Sequence, residues 1–376
     1  MGEVTAETAG PPRGRRGTIP AGRLLHRAVT VAYWLAVAPL AARLPASLGY
    51  RVACWRGDWN YRGSAEERSA VVRNLRLVLG DDLGPEEAER LAREFFRMLS
   101  CEAIDVMRLR GRGQALARLV EIRGREHLDA ALAQGKGAIL CSAHVGSYNS
   151  AFSLLGAGGF PVTAIGRWFW KYMPGLSSAH RRFWNYVYAR RLLRHWQRPN
   201  IEPWPGRVQV AAQAAAVLRA NEVVTICGDA PPRDADRART VQVPFLGRQA
   251  NLLPGVVTLA QLTGAPVLMA FVHRSADYRH QVLEISPPML VHGETDTALG
   301  RCVAAMEAAI RESPAQWAFW DNTDLLAMLG LLPAGFVGPA GRYQPVACPP
   351  PQAGRFVLGA CILCATCEIV SCPNQK

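Results

Sequence analysis

Residues 135–159 read GKGAILCSAHVGSYNSAFSLLGAGG, and this stretch decides the fold. Residues 138–141 form a short apolar run bounded by glycine, the pattern of a buried strand. Residues 147–155 then read as a helix stopped by Gly156. His144 lies in the turn between them. Open α/β sheets bind ligands at such turns, and a helix N-terminus favours negative charge that develops there. Gly146 lets the backbone approach a substrate closely. Asn149 stands five positions after His144, so it can fold back from the first helical turn towards the imidazole. Taken alone, this setting leaves two readings of His144 open, a base or ligand and a structural histidine.

Size and composition narrow the class. The chain has 376 residues, enough for one large domain or two ordinary ones. Its hydrophobic content of 49% can fill a sizeable core. The net charge is +13, carried almost wholly by arginine, since lysine occurs only at Lys136, Lys171 and Lys376. A basic surface suits nucleic acid, anionic headgroups, acidic carriers or phosphorylated cofactors. No zinc finger, RNA-recognition signature or basic zipper is present, which argues against nucleic acid. Cys54, Cys101, Cys141, Cys227, Cys302 and Cys348 are scattered, several of them in apolar patterns, as reduced core thiols are.

Along the chain, residues 1–22 are rich in Gly, Pro and Arg and are expected to be disordered. Residues 28–42 (AVTVAYWLAVAPLAA) are too short to span a bilayer and are broken by Pro39, so an interfacial or signal-anchor helix is expected. Amphipathic patterns predict helices over 64–80 and 84–109, completing a membrane-associated helical region over 23–122, and a third helix over 124–134 leads into the opening stretch. From there strands and helices alternate. Strands are expected at 160–165, 222–227, 267–272 and 281–285, an extended stretch at 240–246, and helices at 254–264 and 295–311. This alternation predicts an α/β core over 123–325, with a mostly parallel central sheet flanked by helices. Residues 180–198 interleave six arginines with aromatic and aliphatic residues, which suits an ordinary surface helix with a buried aromatic face, a helix at a lipid–water interface, or RNA stacking. Residues 326–376 form a Pro/Gly/Cys-rich tail. Its Cys361, Cys364, Cys367 and Cys372 are spaced one residue wider in the last gap than a ferredoxin-type run, and there is no second set.

Four blocks in order then resemble a family. GREHLDAALAQGKGAILCSAHVGSYN is similar to the first catalytic block of the lysophospholipid acyltransferase superfamily, in the branch of the late acyltransferases of lipid A synthesis and the phosphatidylinositol mannoside acyltransferases. YRVACWRGDWNYRGSAEERSAVVRNLRLVLG resembles the branch's N-terminal helical region. GDAPPRDADRARTVQVPFLGRQANLLPGVVTLAQLTGAPVLMAFV resembles its later block, and QWAFWDN its closing tryptophan segment.

The resemblance implies a glycerolphosphate-acyltransferase-like fold and an O-acyltransferase. Such an enzyme moves a fatty acyl group, without metal or bound cofactor, from a coenzyme A or acyl carrier protein thioester to a hydroxyl of a lipid or glycolipid. It implies work at the cytoplasmic face of the inner membrane. The family's general base falls on His144. Its acidic partner normally stands five residues later, where this chain has Asn149. An amide can orient an imidazole but cannot stabilise its cation as a carboxylate does. Asp229, just after the strand expected at 222–227 and on the same sheet edge, is the candidate acid, ahead of Asp234 and Asp236. Arg167 matches the family's phosphate-holding or headgroup-holding residue, with Arg190, Arg191 and Arg239 as further candidates. Two alternatives stay open: an amine or non-lipid acceptor, which needs a weaker base, and a lipid-binding or acyl-binding homologue that has lost the catalytic pair.

Overall fold

The fold was analysed in a computed structural model. It describes Val29 and residues 32–332, apart from 81–82, 110–112, 167–189, 197, 199, 202–206, 233–237, 290 and 292. Residues 1–22, the tail from 333 onward and most of the basic aromatic helix therefore lie outside the described residues, whereas Leu326, Leu329 and Leu331 at the start of the expected tail are buried in the core.

After a short helical stretch over 33–41, three helices form the N-terminal region: α1 (Ala46–Gly63), α2 (Ala65–Leu79) and α3 (Pro85–Arg108). The core follows in the order β1 (Val120–Arg123), α4 (Arg125–Leu132), β2 (Ala138–Ser142), α5 (Tyr148–Ala157), β3 (Val162–Ile165), α6 (Arg207–Arg219), β4 (Val223–Cys227), β5 (Val241–Phe245), β6 (Arg248–Leu252), α7 (Gly255–Thr263), β7 (Val267–Arg274), β8 (Gln281–Ile285), α8 (Thr295–Glu312) and α9 (Thr323–Met328). The six-stranded sheet runs β1-β8-β7-β2-β4-β3, and β5 and β6 make a separate antiparallel hairpin. Every pairing in the large sheet is parallel except β7 with β8. The fold is thus the expected α/β architecture, a mostly parallel sheet flanked by helices with a helical N-terminal region.

Burial explains why β2 reads as an unbroken apolar run. Ile139 and Cys141 face one hydrophobic cluster, shared with α2, α3, α7 and α8. Ala138 and Leu140 face a second, shared with α4, α5, β1 and β3. Alternate side chains of a strand point to opposite faces, and a parallel strand covered on both sides needs both faces apolar.

The N-terminal helices are tied to this core by specific contacts. Gly57 of α1 sits against the backbone of α3, where a Cβ would lie 2.5 Å from Arg97 Cα. Beside it, the Asp58 carboxylate accepts paired N–H bonds from Arg93 and Arg97 at 2.7–2.9 Å. Asn74 of α2 donates to Trp320 O (2.9 Å) and Thr323 Oγ1 (3.1 Å), fixing α2 to the closing segment. Among the described residues, no helix is long and apolar enough to cross a membrane.

Two features extend the sequence reading. α2 fills the helix expected at 64–80 but is preceded by a further helix, α1, and the extended stretch at 240–246 is one half of a hairpin. Gly57→Val should push α1 off α3 and destabilise the protein by about 1–3 kcal/mol or more. Thermal melting checks this, with Gly63→Val as control, since a Cβ at Gly63 meets nothing within 4 Å.

Candidate active site

The site follows from strand register. β2 and β4 are parallel neighbours with Ser142 opposite Cys227. His144 and Asp229 each stand two residues beyond those ends, so they emerge side by side at the C-terminal edge of the sheet. Gly228 N–H donates to Ser142 O at 2.8 Å and keeps the two chains together past the last paired residues.

Asp229 is fully buried, whereas the His144 side chain keeps 21% exposure. Asp229 Oδ1 lies 2.7 Å from His144 Nδ1. Its Oδ2 accepts from the His144 backbone N–H (2.9 Å) and from Trp317 Nε1 (2.8 Å). Burial by itself would raise the carboxyl pKa. The attraction and hydrogen bonds of His144, with the Trp317 bond, outweigh burial and hold it below its ordinary value. A carboxylate can only accept, so Nδ1 carries the proton and Nε2 is left as the basic nitrogen. The imidazole is flanked by Phe319 (ring centroids 4.6 Å) and Tyr148 (5.1 Å).

The turn itself is clamped by the closing segment. Val145 bridges Trp317, Gly146 N–H donates to Gln316 O (2.9 Å), and Ala318 N–H donates to His144 O (2.9 Å). Gly146 has φ +60°, and a Cβ there would lie 2.3 Å from Val272 O. The glycine is therefore required by packing against β7.

Behind the turn lies a buried ion pair. Arg274, at the end of β7, meets Asp105 of α3, and both side chains are fully buried. Asp105 also accepts from Tyr50 Oη and Ser147 Oγ, each at 2.5 Å. Arg274 donates to Ser147 Oγ (3.0 Å) and Tyr278 O (2.8 Å). Burial works against the guanidinium charge, but Asp105 overrides it and the Arg274 pKa is raised. Ser147 immediately precedes α5, so this network fixes the far end of the turn that carries His144.

The other candidates are placed differently. Asn149 is half-buried in the first turn of α5, and among the described residues the hydrogen-bond partner of the His144 ring is Asp229. Arg191 donates to Met107 O at 3.0 Å, satisfying a carbonyl near the C-terminus of α3. Arg239 is exposed in a short turn before β5. Arg190 opens the four-residue helix Arg190–Leu193. Arg167, Asp234 and Asp236 lie outside the described residues. Sequence reasoning did not single out Trp317, Gln316, Arg274, Asp105 or Ser147. The first two stand in the QWAFWDN segment, so that segment was the available signal.

Two further features complete the site. A small open cleft adjoins Gly146, walled by Phe95, Met98, Leu99 and Glu102 of α3 and by Ala315 and Ala318. Cys227 offers a sulfur within 4.8 Å of ligand atoms on His144 and Asp229. Burial and then the Asp229 charge raise its thiol pKa well above the ordinary value, so it is a protonated neighbour and not a nucleophile.

The site is thus a histidine hydrogen-bonded to a buried carboxylate at the C-terminal edge of a mostly parallel sheet, with Nε2 free of that bond and able to take up a proton. The family profile described as bacterial lipid A biosynthesis acyltransferase matches residues 21–322, and the chain belongs to that family. It is an acyltransferase. It is 21% identical over 287 residues to a lipid A biosynthesis acyltransferase of Haemophilus influenzae, covering 74% of this chain and 82% of that one.

The Asp229 carboxyl titrates below its unfolded value of about 3.9, so its stabilisation is complete above that pH and is lost as pH falls through the folded pKa. Asp229→Asn should therefore cost about 2–4 kcal/mol at neutral pH. The gap from the wild type should narrow in acid below about pH 4. Urea denaturation of both proteins across this range measures the gap.

Proposed function

We propose that this acyltransferase moves a fatty acyl group from an acyl thioester, of coenzyme A or acyl carrier protein, to a hydroxyl of a lipid A precursor or a related glycolipid. The acceptor O–H gives its proton to His144 Nε2 as its oxygen attacks the thioester carbonyl. The tetrahedral oxyanion then collapses, the C–S bond breaks, and the thiolate leaves with the proton held by His144. Asp229 keeps Nδ1 protonated and offsets the imidazolium charge in the transition state. The N-terminus of α5, four residues beyond His144, favours the developing oxyanion. The reaction needs no metal or bound cofactor.

The observation that carries this reading is the 2.7 Å contact between His144 and Asp229 in a chain of this family. It favours a working base over a homologue that has lost its acid, because Asp229 supplies the negative charge that Asn149 cannot. Leu99, exposed on the wall of the cleft beside Gly146, offers apolar surface near the turn that carries His144. Arg167, with Arg190 and Arg239, remains the candidate for phosphate on the donor or acceptor. The net positive charge and the apolar stretch over 33–41 support a peripheral site of action at the cytoplasmic face of the inner membrane.

Purified protein should acylate a lipid A precursor with an acyl thioester donor, read by mass spectrometry as the gain of one acyl chain. His144→Ala should lower kcat by about 10²–10⁴-fold, the usual contribution of a positioned general base. Asp229→Asn should approach that loss, while Asn149→Ala stays within about tenfold of wild type. Equal losses in the last two would remove Asp229 from its role. Full activity in His144→Ala would end the general-base mechanism.

A further inference from the structure

The surface of the N-terminal helices has an unusual composition. Every exposed residue between Ala36 and Gly63 is apolar, glycine, proline or arginine. The exposed side chains are Ala36, Val37, Leu40, Arg43, Leu44, Pro45, then Leu48, Arg51, Trp55, Trp59 and Arg62. The last five recur at intervals of three and four along α1, which puts them on one face. The acid of this helix, Asp58, turns the other way and is held by Arg93 and Arg97.

The exposures are large for such residues. Leu40 keeps 61% of its surface, Trp55 58%, Leu48 46% and Trp59 46%. The two indole rings lie 5.8 Å apart. Burying such surface is favourable in proportion to its area, so a contiguous patch of this kind marks a contact. Two tryptophans flanked by arginines and free of carboxylates fit a particular partner. Indoles settle at the headgroup level of a bilayer. Arginine stems lie along apolar surface while their heads reach anionic phosphates. Another protein would not require that every exposed charge be positive.

We infer that this face of α1, with the adjoining 36–45 segment, is a docking surface for a bilayer containing anionic phospholipid, on which α1 lies in the membrane plane. The inference deepens the membrane part of the proposed function and rests on that part alone, not on the catalytic roles. The 18-residue helix carries Arg51, Arg56, Asp58 and Arg62, so it lies on the bilayer and does not cross it.

The test uses full-length protein and flotation with phosphatidylcholine vesicles, with and without phosphatidylglycerol. Wild type should float with the anionic vesicles and lose most binding in high salt. Trp55→Ser/Trp59→Ser should weaken partitioning about tenfold. Arg51→Glu/Arg62→Glu should do so for anionic vesicles only. Brominated phospholipid should quench wild-type tryptophan fluorescence more than that of the Trp variant. Circular dichroism checks that the variants fold.

Undiminished flotation and quenching in the Trp variant would overturn the inference. So would a lipid-free dimer of the wild type that this variant converts to monomer, because the face would then join two chains. Hydrolysis of decanoyl-coenzyme A in the absence of vesicles separates the two readings. It should be equal in wild type and Trp variant. A wild type that floats but neither hydrolyses nor transfers the acyl group would sink the catalytic reading and leave the docking face standing.

Discussion

One buried carboxylate joins the parts of this protein that must act together. Asp229 has no exposed surface, and each of its oxygens is engaged. An isolated charge in such a place costs several kcal/mol or more, so the surroundings must supply donors in fixed positions. They come from two separate segments: the β2 turn gives the His144 ring and backbone, and the closing segment gives Trp317. Trp317 is itself fully buried, packed edge-on to Phe245 and Trp320. The orientation of His144 therefore depends on packing that extends through the β5–β6 hairpin and α8, well beyond the site.

A second buried charge constrains the same turn from the other side. The Arg274–Asp105 pair is closed off from water, and Tyr50, Ser147 and Tyr278 supply further hydrogen bonds to it. A buried pair seldom adds stability over apolar side chains of the same volume. What it does here is specify geometry: α1, α3, β7 and the start of α5 can meet in one arrangement only if all the donors find their acceptors. The N-terminal helices are thus part of the support of the site. A surface that held α1 would therefore also set the direction in which His144 faces.

The sheet and the His–Asp pair were legible because both rest on local pattern. Short apolar runs bounded by glycine marked β2 and β4, and each candidate stood just past a strand end, so parallel register was enough to bring them together. Other features depend on distant partners. The whole of α1 lay ahead of the helix that the residue pattern predicted, because it buries Tyr50, Arg56 and two glycines against α3 and the preceding turn and shows little apolar periodicity. The Arg274–Asp105 pair joins residues 169 apart with nothing local to mark either. Arg191 carries the charge expected of a headgroup ligand, yet its guanidinium meets the Met107 carbonyl, a use that only the approach of two helices reveals.

Asn149 takes a different meaning from this geometry. A base and acid five residues apart in one turn and helix would be positioned by local backbone alone. A pair drawn from two adjacent strands is positioned by sheet register, and a slip of one residue would turn Asp229 to the opposite face. Such a pair needs the flanking hydrogen bond from Gly228 to Ser142 and the clamp of the closing segment, both of which are present. In return it takes its carboxylate from a fully enclosed position, where few waters compete for it and its field at the imidazole is strong. With the acid supplied from β4, position 149 is released from carrying charge. The amide there is therefore compatible with a histidine paired to a carboxylate, because the carboxylate comes from the neighbouring strand.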